Sequence, residues 1–308
     1  MASHYTDANG VFHNKFGIAD SAELKAAEYK ATANRRAQLE SGAVDLKVDG
    51  FGLDRLKAIH GHLFQDVYAW AGQPRETHSS KRAENGMTSV FARPEDIAPN
   101  WTALAEKTNA FATAKEMPIE QQRAQLLDAY VEANRVHAFP EGNGRSLQTF
   151  MSQLARTQGL DLDFSRTTAR DWNLASAVSG THGRLFEHVH LIPVPPNREP
   201  LRKIFDDIVR PERAIAFEKW PEPQAIAKFP ELRGAFEGLR AVETRAQASM
   251  SGDTARVSTY VRLVREEFVA RLDKGQPLEQ RRQVGQGNVQ DQSPTQQLPT
   301  ARDRGRDR

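Results

Sequence analysis

The sequence predicts a mainly α-helical protein that carries one small β-hairpin. Two observations carry that expectation. Apolar residues recur at helical spacing over residues 52–70, 119–136 and 147–154. Residues 75–93 break that pattern, being polar, with Thr77, Thr88, Val90 and Phe91 set around Glu84-Asn85-Gly86. Asn-Gly between β-prone segments is the strongest short-range hairpin signal.

Taken in order, residues 20–40 are rich in Ala, Glu, Lys and Arg and read as a helix, with Asp20 or Ser21 as its N-cap. Residues 52–70 read as a second helix, with Leu53, Leu56, Ile59, Leu63, Phe64 and Val67 on one apolar face. After the hairpin, helical spacing resumes near Pro94 and runs through Trp101, Leu104 and Phe111. Leu126, Leu127, Tyr130 and Val131 place another helix over residues 119–136. Leu147, Phe150, Met151 and Leu154 fall at i, i+3, i+4 and i+7, the pattern of a buried helical stripe, and Gly159 is placed to end it. Residues 171–190 are expected to be helical. The proline-rich stretch 193–200 breaks helix and marks a boundary. Short amphipathic helices are expected over 201–274, for example residues 260–272. From about residue 276 the chain is rich in Gln, Arg and Pro, and too poor in apolar residues to offset its ordering entropy, so it reads as a disordered tail. The expected organisation is a first domain over 1–195, a small helical extension over 196–275, and the polar tail 276–308.

Composition narrows the function. A chain of 308 residues, 39% hydrophobic and 27% charged, suits one large soluble domain with an appendage. The 42 basic residues nearly balance the 40 acidic ones, so no strong field for nucleic acid is expected. There is no cysteine, which removes thiolate nucleophiles, disulfides and Cys-based zinc sites. No apolar run approaches the ~20 residues a membrane helix needs, and the N-terminus lacks the pattern of a secretory signal. His60 and His62, and likewise His188 and His190, stand two apart. They read as packing or surface residues, a metal site being the alternative.

The chemistry concentrates in the loop His137-Ala138-Phe139-Pro140-Glu141-Gly142-Asn143-Gly144-Arg145, between two amphipathic helices. Gly142 and Gly144 let a ligand approach the backbone closely. A helix beginning there presents unpaired N–H groups and its positive dipole end, an anion cradle most natural for phosphate. Arg145 can add a charge-assisted contact to a phosphate oxygen. Glu141 offers a hard oxygen ligand for Mg²⁺. His137 suits a general base for a hydroxyl. On residue type alone, an ordinary glycine-containing helix–helix turn is the alternative.

The same loop resembles the Fic family signature, H-x-F-x-[DE]-G-N-G-R-x-x-R, and fits every specified position through the first arginine. The segment Leu63-Phe64-Gln65-Asp66-Val67-Tyr68-Ala69-Trp70-Ala71-Gly72 is similar to the family's L-F-x-D-x-Y-x-W-A-G stretch. Tyr5-Thr6-Asp7 with Phe16-Gly17-Ile18 is similar to the start of conjugation-linked Fic toxins. The resemblance covers roughly residues 1–195 and implies a helical Fic fold with a β-hairpin flap.

Its functional implication is transfer of AMP from ATP to a Ser, Thr or Tyr hydroxyl of a target protein. His137 would then take the hydroxyl proton and Glu141 would hold Mg²⁺ on the α- and β-phosphates. The Gly142, Asn143 and Gly144 amides, with the Asn143 side chain, would stabilise charge on the α-phosphate, and Arg145 would meet the leaving pyrophosphate. The flap over residues 75–93 would pair with the target as an added strand. A bacterial toxin or effector restrained by a separate small antitoxin is implied, cytoplasmic or translocated into another cell. Gln148 departs from the pattern, standing where relatives carry the second arginine, which binds the γ-phosphate and pairs with an inhibitory glutamate. Losing a charged phosphate contact costs about 1.5–3 kcal/mol. The alternatives this opens are a catalytically weakened Fic-like binding protein, or transfer from another donor such as one carrying UMP, phosphocholine or phosphate. Ser80-Lys81-Arg82-Ala83-Glu84-Asn85 fits the inhibitory pattern [ST]-x-x-x-E-[GN] literally, although a polar hairpin is the plainer reading.

Overall fold

The computed structural model describes residues 4–83, 86–186, 190–250 and 253–276. The chain runs α1 (Ser21–Glu40), α2 (Leu53–Phe64), β1 (Ser80–Arg82), β2 (Thr88–Val90), α3 (Ile97–Thr113), α4 (Ile119–Val136), α5 (Asn143–Arg156) and β3 (Leu160–Leu162). It continues through α6 (Ala169–Ser179), β4 (His182–Phe186), β5 (His190–Val194), α7 (Glu199–Ile208), β6 (Val209–Pro211), α8 (Glu212–Lys219), α9 (Glu222–Lys228), α10 (Arg233–Ser249) and α11 (Thr254–Asp273). Asp20 caps α1, its carboxylate accepting the Glu23 N–H at 2.8 Å.

The stripe of α5 is buried as its spacing requires, with Phe150, Met151 and Leu154 wholly enclosed. Around it pack α2, through Ile59, Leu63 and Phe64, and α4, through Leu126, Tyr130 and Val131. One apolar core extends from Tyr5 to Val209 and takes in Leu201, Phe205 and Ile208 of α7. A second core gathers Phe217, Leu232, Phe236 and Val269 from the segments between α8 and α11.

Two expected helices end early. The expected helix over 52–70 stops at Phe64, and the following turn folds Tyr68 onto Trp70 with ring centroids 4.2 Å apart. Lys15 holds this turn through the Gln65 carbonyl at 2.7 Å, and Arg35 holds it by a bidentate pair with Asp66 at 2.7 and 2.8 Å. Likewise, the helix expected over 171–190 ends at Ser179. Gly180 takes an extended backbone, and the chain turns into the antiparallel pair β4–β5. The hairpin β1–β2 is therefore one side of a four-stranded sheet, ordered β1-β2-β4-β5, with Thr88 opposite Gly183 and Ser89 opposite His182. β1 stands at the free edge of that sheet. Glu84 and Asn85, which carry the expected turn and the inhibitory-pattern match, lie outside the described residues, as do His188 and the tail beyond residue 276.

His60 is a core residue with a specific task. The Gly72 N–H donates to its Nδ1 at 2.8 Å, so Nε2 carries the proton and donates to the Glu141 carbonyl at 3.0 Å. The imidazole stacks on Phe139 at 3.8 Å and Phe64 at 4.6 Å. One neutral ring thus ties α2, the Gly72 turn and the loop before α5 together. Gly142 meets the tip of the Phe64 ring with φ +82°, and a Cβ there would overlap it.

Burial pushes His60 down to about 3, whereas an unfolded histidine titrates near 6.5. Between those values the unfolded chain binds the extra proton. The contribution of His60 to stability is therefore complete above about pH 6.5 and is lost as pH falls. Thermal unfolding between pH 6.5 and 4.5 should show Tm falling more steeply in the native sequence than in His60→Gln, and equal slopes would contradict this. Gly142→Ala should lower stability by about 2–4 kcal/mol, the left-handed backbone and the Phe64 overlap both contributing. Denaturant titration checks that value.

Candidate active site

The loop begins where α4 ends. His137 is the C-cap of α4 in a left-handed conformation, φ +50°, its N–H donating to the Ala133 carbonyl at 3.2 Å. Arg75 fixes this corner from the base of the flap. Its buried guanidinium donates to the carbonyls of His137 at 2.8 Å, Val136 at 3.1 Å, Thr77 at 2.7 Å and Ala92. A cation at the carbonyl end of α4 satisfies orphan acceptors and complements the helix dipole. The Arg75 N–H also bonds the Ala138 carbonyl at 2.8 Å.

Asn143 closes the loop on itself. Its Oδ1 accepts the Phe139 N–H at 2.9 Å and its Nδ2 donates to the Phe139 carbonyl at 2.7 Å. The side chain is thus spent on loop geometry. The first turn of α5 leaves the N–H groups of Asn143, Gly144 and Arg145 without intrahelical partners. Gly142 and Gly144 line an open cavity of about 440 Å³, together with Glu141, Arg145 and Gln148. The far wall comes from α1, whose Tyr29, Thr32, Ala33 and Arg36 face it at i, i+3, i+4 and i+7.

Arg145 is held from α1. Its guanidinium pairs with Glu28 and donates to Thr32 Oγ1 at 3.2 Å, and it lies 4.6 Å from the Tyr29 ring and 4.8 Å from the Phe64 ring. Glu28 is buried and also accepts from the Tyr68 hydroxyl. Burial, then this contact with Glu28, pushes the Tyr68 phenol upward. Glu141 lies 3.6 Å from Arg145 and keeps its carboxylate about half exposed, 46%, at the cavity rim. A single accessible carboxylate beside a phosphate cradle fits the donor set of Mg²⁺, which takes one or two protein carboxylates and completes its shell with phosphate oxygens and water. No cluster of three or more metal-ligating side chains occurs among the described residues, so a metal there would depend on the phosphates.

His137 faces a second cavity of about 260 Å³, lined also by Phe91, Tyr130, Asn134 and Trp172. The two cavities share Gly144, Trp172, Asn173 and Lys81 of the flap, so they adjoin. Phe91 stacks on the His137 ring at 3.7 Å. Nδ1 is the buried ring nitrogen. Burial, then the charges of Lys81 and Arg75, lowers His137 to about 3, so the imidazole is neutral at physiological pH.

Of the residues singled out in the sequence, Glu141, Gly142, Gly144, Arg145 and Gln148 meet in one cavity and His137 in its neighbour. Asn143 lies between them but turns its side chain inward. His60, Glu28 and Arg75 were missed as site residues. Each acts on a partner far along the chain, and Arg75 and Glu28 carry no local pattern. For His60, the apolar run Leu56, Ile59, Leu63 and Phe64 around it was a signal that it would be buried.

The model of the Fic/DOC family matches residues 50–155. The protein adenylyltransferase VbhT of Bartonella schoenbuchensis is 33% identical over 176 residues, which cover 57% of this chain and 35% of VbhT. The chain therefore spans about a third of that relative. The probable protein adenylyltransferase Fic of Salmonella typhimurium is 31% identical over 175 residues, covering 57% of this chain and 82% of that protein. Among solved structures, the Bartonella tribocorum effector protein BepC with bound AMPPNP superposes with a TM-score of 0.54 at 22% identity, over 67% of this chain and 96% of that one. At that identity the likeness concerns the fold, and it agrees with the helical core and small sheet described above. The matched stretch contains the loop 137–145, and the chain belongs to the Fic/DOC family.

Proposed function

We propose that this protein is a protein adenylyltransferase that moves AMP from MgATP to a hydroxyl of a target protein. The observation that carries this reading is the junction of the two cavities at Gly144. A phosphate-binding helix start opens on one side and a neutral imidazole on the other. A phosphorus atom cradled at Gly142–Gly144 would lie between them. The target hydroxyl enters beside His137 and its oxygen attacks the α-phosphorus. The Pα–O bond to the β-phosphate breaks and pyrophosphate leaves. His137 Nε2, unprotonated before the attack, takes the hydroxyl proton as general base. The orphan N–H groups at the start of α5 stabilise the charge that builds on the α-phosphate oxygens, and Arg145 meets the leaving group. Glu141 would hold Mg²⁺, which would supply charge neutralisation at the phosphates. Catalysis is then positioning and preorganised charge.

The free edge of β1, with all three residues exposed, supports target docking by strand addition. Glu141 is the only glutamate or aspartate lining the donor cavity among the described residues. Restraint by a separate antitoxin belongs to the same reading. No described helix is long and apolar enough to cross a membrane. The name of BepC, a VirB-translocated Bartonella effector protein, supports a translocated effector, and a toxin belongs to the same reading.

Purified protein with Mg²⁺ and a bacterial lysate should transfer label from α-labelled but not γ-labelled ATP, and His137→Ala should abolish it. Label from γ alone would mean phosphorylation. No label from either would favour a weakened binding protein, the reading that Gln148 supports.

A further inference from the structure

Gln148 leaves the donor cavity without a charge one turn beyond Arg145. A magnesium-bound triphosphate keeps about two net negative charges, which a site has to meet. Three cations line the cavity: Arg145, Lys81 and Arg36. They are not equivalent. Arg145 is anchored by buried Glu28 and Thr32 and packed between two rings, which fixes it at the start of α5. Lys81 lines the His137 cavity as well, which places it on the transfer side.

Arg36 lines the donor cavity and not the cavity of His137. It sits one turn along α1 from Thr32, the residue that meets Arg145, just as Gln148 sits one turn along α5 from Arg145. Among the described residues its only ion pair is with Glu40 at 2.7 Å, four residues on along the same helix, and the two side chains are 29% and 45% exposed. Exposed pairs of this kind are weak and readily exchanged for a better anion. Its guanidinium lies 5.8 Å from the Phe164 ring, another wall of the cavity. With Nε on Glu40, the terminal N–H groups of the guanidinium have no other hydrogen-bond partner among the described residues and can meet a phosphate.

We propose that Arg36 binds the terminal phosphate of the nucleotide donor and supplies from α1 the charge that position 148 lacks. This rests on the transferase reading above. Arg36 is a donor-binding and specificity-determining residue, and it selects a triphosphate over shorter donors. It takes no part in proton transfer.

The test is calorimetric binding of MgATP, MgADP and AMP to the full chain, to Arg36→Ala and to Arg36→Ala/Gln148→Arg. Arg36→Ala should weaken MgATP by about 10-fold or more, the usual loss for one charge-assisted phosphate contact, and leave AMP within about 2-fold. The double variant should recover MgATP binding. Unchanged MgATP binding in Arg36→Ala would overturn the proposal, and so would equal weakening of all three nucleotides. If the native chain binds none of them, the transferase reading itself fails, which is a separate result.

Discussion

The cavity in front of the glycine loop depends on a buried ion pair. Arg145 belongs to the first turn of α5 and Glu28 to the middle of α1, and their contact is sheltered from water by Tyr29, Phe64 and Tyr68. A buried carboxylate is costly unless it is paired and hydrogen-bonded, and Glu28 is both, accepting from Arg145 and from the Tyr68 hydroxyl. The pair therefore fixes where α1 lies. With α1 placed, Tyr29, Thr32, Ala33 and Arg36 become a wall facing the glycine loop, and the loop becomes a cavity rather than an exposed turn. His60 does the matching task from beneath, holding the Glu141 carbonyl so that the Glu141 side chain projects at the rim. Arg75 does it for the His137 end.

The parts legible in the sequence are those written locally. The stripe of α5, the Asp20 cap and the loop 137–145 each depend on residues within a few positions of one another, and each is found where the spacing puts it. The parts that were not legible are bonds across the chain. Glu28 reaches Arg145 across 117 positions, His60 reaches the Glu141 carbonyl across 81, and Arg75 reaches His137 across 62. No periodicity records such pairs. The strands β4 and β5 were missed for a related reason. What ends α6 is Gly180 together with pairing to β2, whose residues lie some ninety positions earlier, and helical apolar spacing alone cannot report that competition.

The segment after the main core is joined to the site by charge. Arg210 of β6, only 1% exposed, donates to Asp163 at 2.9 Å, Glu218 at 2.6 Å and Asp273 at 2.8 Å, while Lys219 reaches Asp163 at 2.6 Å. Burial alone would raise the Asp163 carboxyl, but Lys219, Ser165 and Arg210 outweigh it and hold it at about 2. The network therefore ties α8 and the end of α11 to the turn after β3. Phe164, next to Asp163, lines the donor cavity. The helices beyond residue 212 thus buttress a wall of the proposed nucleotide site while keeping a separate apolar core.

Two roles for Glu28 can be told apart directly. If it positions Arg145, removing its charge should loosen the cavity. If it competes with phosphate for Arg145, removing its charge should release the arginine to the ligand. The decisive measurement is the Kd for MgATP of Glu28→Gln, on protein shown by circular dichroism to be folded. The architecture described here predicts binding weaker by about 10-fold or more, since an unanchored guanidinium loses a charge-assisted bond and its fixed geometry. Unchanged or tighter binding would contradict it and would make Glu28 a restraint on the site rather than its support.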